Sequence, residues 1–257
     1  TAPYSAPRYG DTSGMGAEIL ILSAGCFLAA FCAGMAGFAF VLVAAGILLH
    51  VFPPATLAPV LVLGSLFVQS LALPAIWPEI DWRRMRLFVA AATLGIGPGL
   101  LILAHGPARG IVAGVGVLLI VYAGYMLARF ALRAAPPRIA GGARADLAVG
   151  FASGILGGIG GYVGALPAMW TDIQGMDKRQ ARALMQPFIV FMQAITVPGL
   201  AWGGFFTQDA LLMAASAVPA MLAGSWLGLR AYKVIPAEGF RLVLLALLLV
   251  SGLSLVV

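Results

Sequence analysis

The stretch Gly150–Pro167, GFASGILGGIGGYVGALP, decides the fold of this chain. Its apolar residues are continuous, which is typical of a helix in lipid, and its clustered glycines indicate a break in that helix. The apolar run around it, Leu147–Trp170, is too short for two full membrane crossings at a helical rise of about 1.5 Å per residue. We therefore predict two short helices, or a re-entrant hairpin, with a tip near the membrane midplane formed by Gly157, Gly158, Gly160 and Gly161.

The composition of the whole chain agrees with a membrane location. Of its 257 residues, 62% are apolar and only 9% are charged, whereas charged residues make up about 25% of an ordinary soluble domain. Two cysteines exclude a disulfide scaffold, and the apolar content excludes disorder. The apolar runs do not alternate as the strands of a membrane β-barrel do. The chain is thus predicted to be an all-α, polytopic helical membrane protein.

The remaining apolar runs predict the other spans. The first run is interrupted at Gly34 and Gly37 and is long enough for two nearly complete spans. Residues 1–16 form a polar tail in which no signal peptide is evident, and residues 133–145 form a basic linker. The runs outside the hairpin are Ala17–Leu49, Ala55–Ile76, Leu87–Ala104, Ile111–Leu132, Ala183–Trp202, Ala210–Leu229 and Phe240–Val257.

The two halves of the chain repeat each other. At a constant offset of 124 residues the matched pairs are Gly34 and Gly158, Gly37 and Gly161, Gln69 and Gln193, and Pro74 and Pro198. At an offset of 129 they are Gly95 and Gly224, Gly99 and Gly228, Pro107 and Pro236, and Gly110 and Gly239. We therefore predict a first transmembrane repeat over residues 17–132 and a second over residues 146–257.

The loop charges indicate that the second repeat is inverted. The loop with Arg83, Arg84 and Arg86 is basic, whereas the equivalent loop, Gly203–Asp209, has no cation. The loop His50–Pro54 is neutral, whereas its counterpart carries basic residues, Lys178, Arg179 and Arg182. Because basic loops stay in the cytoplasm, equivalent loops of the two repeats must face opposite sides. The prediction is ten segments with a cytoplasmic linker and both termini outside.

The broken helices are the first candidate for a functional site. Unpaired N–H groups and the positive end of a helix dipole bind anions without any side-chain cation. The alternative is close packing of helices through small residues. This packing role is the one we expect for Gly95, Gly99, Gly224 and Gly228, whereas Gly34, Gly37 and the glycines of the second tip are predicted to contact substrate.

Two glutamines inside apolar runs are the second candidate. Gln69 and Gln193 occupy equivalent positions, and a polar amide in lipid needs a partner. Both could donate N–H groups to an oxyanion in one central site. Both could instead form structural hydrogen bonds between helices. The sequence leaves these two interpretations equal.

Other functional classes find little support. The basic residues are scattered in short clusters between spans, which does not indicate a nucleic-acid partner. No hydrolase motif and no pair of intramembrane carboxylates occurs, and the two histidines, His50 and His105, are far apart. We therefore predict no enzyme activity, no cofactor and no metal; the expected partners are a small anion and the lipid bilayer.

The Gly-rich stretch also carries a family resemblance. Residues 150–167, the charged loop Met176–Arg182 and the span that contains Gln193 resemble the sulfite exporter TauE/SafE family of membrane permeases. The first repeat departs from the pattern, because CAGMAGFAF over residues 32–40 has Phe38 and Ala39 where glycines are usual. The resemblance implies transport of small sulfur-containing or organic anions such as sulfite or sulfoacetate.

Together these observations predict an exporter that works by alternating access in the bacterial cytoplasmic membrane. Its site would lie between the two Gly-rich breaks, with Gln69 and Gln193 as donors and with Phe38 and Tyr162 in its lining. No arginine lies deep in a predicted span, so the backbone would carry most of the anion stabilisation. The alternatives are an importer of another organic anion with the same architecture and a non-transporting membrane assembly protein.

Overall fold

The fold is a bundle of helices in a computed structural model that describes residues 12–71, 73–132, 138–231, 234 and 237–257. Over these residues every element is helical, which confirms the predicted all-α class. The helices are α1 (Thr12–Ala36), α2 (Phe40–Leu48), α3 (Pro54–Ser70), α4 (Leu73–Ile76), α5 (Trp82–His105), α6 (Ala108–Ala131), α7 (Ala143–Gly160), α8 (Ala165–Ile173), α9 (Lys178–Trp202), α10 (Gln208–Ala231) and α11 (Ala237–Val256), with a 3₁₀ turn at Trp77–Glu79.

Five of the described helices are long and apolar enough to cross a membrane, judged by length and composition: Gly16–Ala36, Trp82–His105, Ala108–Ala131, Arg179–Trp202 and Gln208–Ala231. Two shorter apolar helices, Pro54–Ser70 and Leu242–Val256, accompany them. The protein is therefore a multi-pass membrane protein.

Each half contains one broken pair of helices. In the second half, α7 ends at a left-handed glycine, Gly161, with φ of 82°. The N–H of Gly161 donates to the carbonyl of Gly157 at 2.7 Å, and the N–H of Tyr162 donates to the carbonyl of Leu156 at 3.2 Å. This pairing closes the end of α7 and reverses the chain into α8. In the first half, Gly37 has φ of 89° and separates α1 from α2 in the same way.

The structure corrects three details of the predicted breaks. The second turn begins at Gly161, and Gly157, Gly158 and Gly160 lie inside α7. Likewise the first turn begins at Gly37, whereas Gly34 lies inside α1. The helix α2 has nine residues, about 14 Å of helix, so the first run does not hold two nearly complete spans.

Predictions about the ends of the repeats fall partly outside the described residues. Helix α1 begins at Thr12, ahead of the predicted repeat start at residue 17. Residues 1–11 of that tail and residues 133–137 of the basic linker lie outside the described residues. So do Lys233 and Pro236.

The two halves interlock by exchanging helices. Helix α5 of the first half packs on α7 of the second, and α10 of the second half packs on α1 of the first. Helices α6 and α11 pack on each other, and so do α3 and α9. This is the reciprocal pattern that two like halves produce around a shared axis.

Glycines permit the closest of these contacts, as predicted. A methyl group added to Gly95 or Gly99 would overlap backbone carbonyls of α7, those of Phe151 and Ile155. A methyl group on Gly224 or Gly228 would overlap backbone carbonyls of α1. The packing role predicted for these glycines is confirmed, because the backbones approach too closely for any side chain.

Charged side chains gather at one end of the bundle, which we call the basic end. Arg84 donates to both carboxylate oxygens of Asp146, at 2.8 and 2.7 Å, and to Oε1 of Gln174 at 2.7 Å. The indole N–H of Trp170 also donates to Asp146, at 2.8 Å. The start of α5 is thereby joined to the start of α7 and the end of α8.

A second cluster at the basic end involves Asp172. Its carboxylate forms an ion pair with Arg129 and accepts a hydrogen bond from the hydroxyl of Tyr125 at 3.2 Å. Both partners are on α6, because the hairpin brings the end of α8 beside the end of α6.

Candidate functional site

Two glycine turns form the centre of the candidate site. We call residues 37–39 the Gly37 turn and residues 161–164 the Gly161 turn. The amide Nε2 of Gln69 donates to the carbonyl of Gly37 at 2.9 Å, and Nε2 of Gln193 donates to the carbonyl of Gly161 at 3.0 Å. Both glutamines are at most 1% exposed. Equivalent residues of the two halves therefore make the same hydrogen bond, and each glutamine holds the turn of its own half.

These bonds bear on the role predicted for the glutamines. They are hydrogen bonds between separate helical elements, the structural alternative considered for both residues. Donation to a substrate oxyanion would have to use the second N–H of each amide. A substrate contact by Gln69 or Gln193 stays a prediction, while their positioning of the turns is what the structure displays.

The two turns lie against each other. The carbonyl oxygen of Phe38 is 3.7 Å from the position that a Cβ atom would take on Gly164. The Phe38 ring packs edge-to-face on Tyr122 of α6, with 6.1 Å between centroids. Both short helices, α2 and α8, start beside this contact. The structure thus brings together the two breaks that the sequence predicted to face one site.

The other predicted glycines have packing contacts. A Cβ on Gly34 would lie 3.0 Å from the backbone of Gly228, and a Cβ on Gly158 would overlap the backbone of Ile96. A Cβ on Gly157 would meet the side chain of Val163 at 2.5 Å. Next to the turn, a Cβ on Gly160 would meet the ring of Tyr162 at 2.7 Å. These positions require glycine for close approach, and a substrate contact by any of them stays a prediction.

An arginine that the sequence reading assigned to a loop reaches the Gly37 turn. Nε of Arg182 lies 3.6 Å from the position of a Cβ on Gly37. Nε also donates to Oε1 of Gln186 at 3.0 Å, and Gln186 is 2% exposed. Arg182 was taken as a loop residue because it lies among other cations, whereas it belongs to the second turn of α9. The spacing of Arg182 and Gln186, four residues apart before an apolar run, was the available signal.

The Gly161 turn has different neighbours. A Cβ on Gly161 would lie 3.1 Å from Cγ2 of Val62 and 3.0 Å from Nε2 of Gln193. By the offset of 124 residues, Val62 corresponds to Gln186, and Ala58 corresponds to Arg182. The halves are therefore alike in backbone and unlike in charge: Arg182 adjoins the Gly37 turn, whereas Val62 adjoins the Gly161 turn and Ala58 stands at the sequence position equivalent to Arg182.

A cavity of about 260 Å³ lies beside the Gly161 turn. Tyr162, 3% exposed, contributes to its wall. The rest of the lining comes from α7 and from α5 and α6 around the turn that joins them, and it includes Leu156, Ile159, Gly106 and Pro107. Tyr162 thus borders a space whose lining is mainly apolar, and its contact with a substrate stays a prediction.

The chemistry available at the turns is electrostatic. Arg182 lies beside Gly37, and α2 starts three residues later in the chain at Phe40. A guanidinium and the N–H groups of a helix start are groups that bind anions. Among the described residues, no group of three His, Cys, Asp or Glu could hold a metal ion.

Comparisons with known proteins agree with this architecture. No curated protein and no solved structure matches the chain. The family model described as Sulfite exporter TauE/SafE matches residues 22–255, which is nearly the whole chain. This family consists of membrane permeases rather than enzymes, and its members carry anions such as sulfite. The chain accordingly belongs to the sulfite exporter TauE/SafE family and is a membrane transporter of small anions.

Proposed function

We propose that the protein exports a small sulfur-containing or organic anion, such as sulfite or sulfoacetate, across the bacterial cytoplasmic membrane by alternating access. The observation that carries the proposal is the meeting of the two glycine turns, with Arg182 beside the first. The predicted site residues are Gly34, Gly37, Phe38, Gln69, Gly157, Gly158, Gly160, Gly161, Tyr162 and Gln193, to which we add Arg182 and Gln186.

Arg182 supplies the charge that the anion requires. A charged group within a span is costly and is retained mainly for function. The guanidinium lies beside Gly37, three residues before α2 starts, and the N–H groups at that helix start would donate to the same anion. Gln186 accepts a hydrogen bond from Nε, which fixes the orientation of the guanidinium. The anion would therefore bind Arg182 and the backbone together, rather than backbone alone.

Alternating access would use the reciprocal packing of the halves. We place the basic end in the cytoplasm, because arginines concentrate there. The bonds from Arg84 and Trp170 to Asp146 and the ion pair of Arg129 with Asp172 hold the hairpin α7–α8 in place at that end. Opening toward the cytoplasm would require these bonds to separate, while the halves rock about the glycine contacts.

The membrane potential favours export. When the membrane potential is inside-negative, moving one negative charge outward releases about 2.3 kcal/mol per 100 mV, and moving a dianion releases twice as much. An exporter can work on this gradient alone, whereas an importer of the same anion would need a coupled cation. Efflux and uptake measured under an imposed potential of each sign distinguish the exporter from the importer.

The test is efflux of labelled sulfite and sulfoacetate from proteoliposomes that contain the purified protein. Hydrogen bonds to charged groups contribute about 1.5–3 kcal/mol. Arg182→Gln is therefore expected to weaken anion affinity by about 10- to 150-fold. The matched control is Arg179→Gln, since Arg179 is on the same helix with a side chain that is 79% exposed and paired with Glu79 at 2.8 Å.

The outcomes separate the alternatives. Loss of affinity in Arg182→Gln alone supports the proposed site. Equal loss in both variants would mean that general surface charge, rather than the turn, governs anion entry. Wild-type protein that moves none of the tested anions in either direction would favour the membrane assembly alternative.

A further inference from the structure

We propose that the Gly161 turn binds a monovalent cation, Na⁺, through Oε1 of Gln193 and the carbonyls at the end of α7. The first observation is an unsatisfied oxygen. Gln193 is fully buried, and its Nε2 donates to the carbonyl of Gly161, yet its Oε1 has no hydrogen-bond partner among the residues that the structure describes. Exchanging the amide O and N would set two oxygens against each other, so the orientation is fixed.

The oxygen lies at the negative end of a helix. Oε1 of Gln193 is 3.2 Å from the position of a Cβ on Gly161, the residue that ends α7. The last carbonyls of a helix carry about half a negative charge between them. The structure thus places a buried amide oxygen at the end of α7, and amide and carbonyl oxygens at broken helices are the groups that bind small cations in transporters.

The two turns differ in the side chain that lies beside them. The Gly37 turn also follows the end of a long helix, and there the guanidinium of Arg182 lies beside it. At the equivalent place beside the Gly161 turn the chain has Ala58, and the neighbour of Gly161 is Val62. A fixed cation thus adjoins one turn, and we infer that a mobile cation takes the same place at the other.

This arrangement would let Na⁺ and the anion strengthen each other's binding, without requiring that Na⁺ travel with the exported anion. A cation at the Gly161 turn and an anion at Arg182 would occupy neighbouring turns, since the carbonyl of Phe38 adjoins Gly164. Each would lower the electrostatic cost of binding the other. Only this coupling rests on the proposed function; cation binding itself does not.

The test is ion-dependent stability of the purified protein in detergent, without sulfite or sulfonates. The unfolding temperature is measured in NaCl, KCl and choline chloride at equal ionic strength, together with direct binding of ²²Na⁺. A cation that binds only the folded protein at ten times its dissociation constant raises Tm by about 3–6 °C. We expect that rise with NaCl relative to choline chloride. Equal Tm in all three salts, without saturable ²²Na⁺ binding, would overturn the proposal and leave water as the donor to Oε1.

Matched variants locate the ion. Gln193→Leu is expected to abolish ²²Na⁺ binding, whereas Gln69→Leu, which removes the equivalent amide at the Gly37 turn, is expected to keep it. Ala58→Arg supplies the fixed cation and is expected to make Tm independent of Na⁺. Na⁺ binding that survives in Gln193→Leu would overturn the assignment, and the wild-type salt series decides the matter if either variant fails to fold.

The two proposals fail separately. Anion binding is measured in choline salts and depends on Arg182, whereas Na⁺ binding is measured without the anion and depends on Gln193. Na⁺ binding without anion transport would overturn only the proposed function. Anion transport that is unaffected by replacing Na⁺ with choline would overturn only the coupling.

Discussion

Replacing Gly95 by alanine should destabilise the protein, whereas the same change at Gly114 should not. A methyl group on Gly95 would overlap the carbonyl oxygen of Phe151 and lie 2.8 Å from the amide nitrogen of Ile155. Both obstacles are backbone atoms of α7, so the methyl group is accommodated only if α5 and α7 separate. Gly114 is an exposed glycine of α6, and a methyl group there would meet no atom of the surrounding described residues within 4 Å.

The magnitude follows from these contacts. Overpacking costs about 1–3 kcal/mol, and alanine in place of an exposed helical glycine gains up to about 1 kcal/mol. The free energies of unfolding of the two variants should therefore differ by roughly 2–3 kcal/mol, with Gly114→Ala the more stable. For a chain of this size that difference corresponds to about 5–10 °C in Tm.

The assay is thermal unfolding of both variants in the same detergent, followed by intrinsic fluorescence. Gly224→Ala should behave like Gly95→Ala, because its methyl group would overlap the carbonyl of Phe27 on α1. Equal unfolding temperatures for the Gly95 and Gly114 variants would refute the argument that α5 and α7 are held at backbone contact.

Two further predictions concern the basic end. Asp146→Asn removes the carboxylate charge that pairs with Arg84 and accepts a hydrogen bond from Trp170. It should lower the free energy of unfolding by about 1–3 kcal/mol, measured as a lower Tm and as faster proteolysis between α5 and α7. An unchanged Tm would show that the ion pair adds nothing to stability. The hydrogen bond from Arg179 lowers the pKa of Glu79 from its ordinary value of 4.5. The ion pair therefore stabilises the fold fully above pH 4.5, and this contribution is lost as the pH falls below 4.5 through the lowered pKa. Glu79→Gln should therefore flatten the dependence of Tm on pH below about 4.5, and an identical slope would contradict the assignment.

Much of the architecture could be predicted because it depends on composition and spacing. Continuous apolar runs and scarce charges predicted the helical membrane class, and the glycine cluster at 157–161 predicted a break near Gly161. The exact residue at which each helix breaks could not be predicted from the sequence, because a glycine that ends a helix and a glycine packed inside a helix look the same in sequence. Gly158 lies in α7 since it faces Ile96 of α5, a contact that only the tertiary structure creates.

The site was predicted in part. The offset of 124 residues identified Gln69 and Gln193 as equivalent, and both do make the same bond to their turn. Their partners could not be predicted, because each amide reaches a carbonyl 32 residues earlier in the chain. Arg182 was assigned to a loop for a similar reason: it is the folding back of α1 into α2 that brings Gly37 to it.

The sequence by itself determined that the chain is a helical membrane protein, that its halves carry matching glycines and glutamines, and that each half has one break. These properties follow from local chemistry, since lipid demands internally bonded backbone and glycine permits a left-handed turn. Only the tertiary structure decided that the two turns meet, that one adjoins Arg182 and the other Val62, and that Oε1 of Gln193 is left without a donor. The two similar halves differ in charge at their turns because different helices pack beside each turn, and that packing exists only in the folded protein.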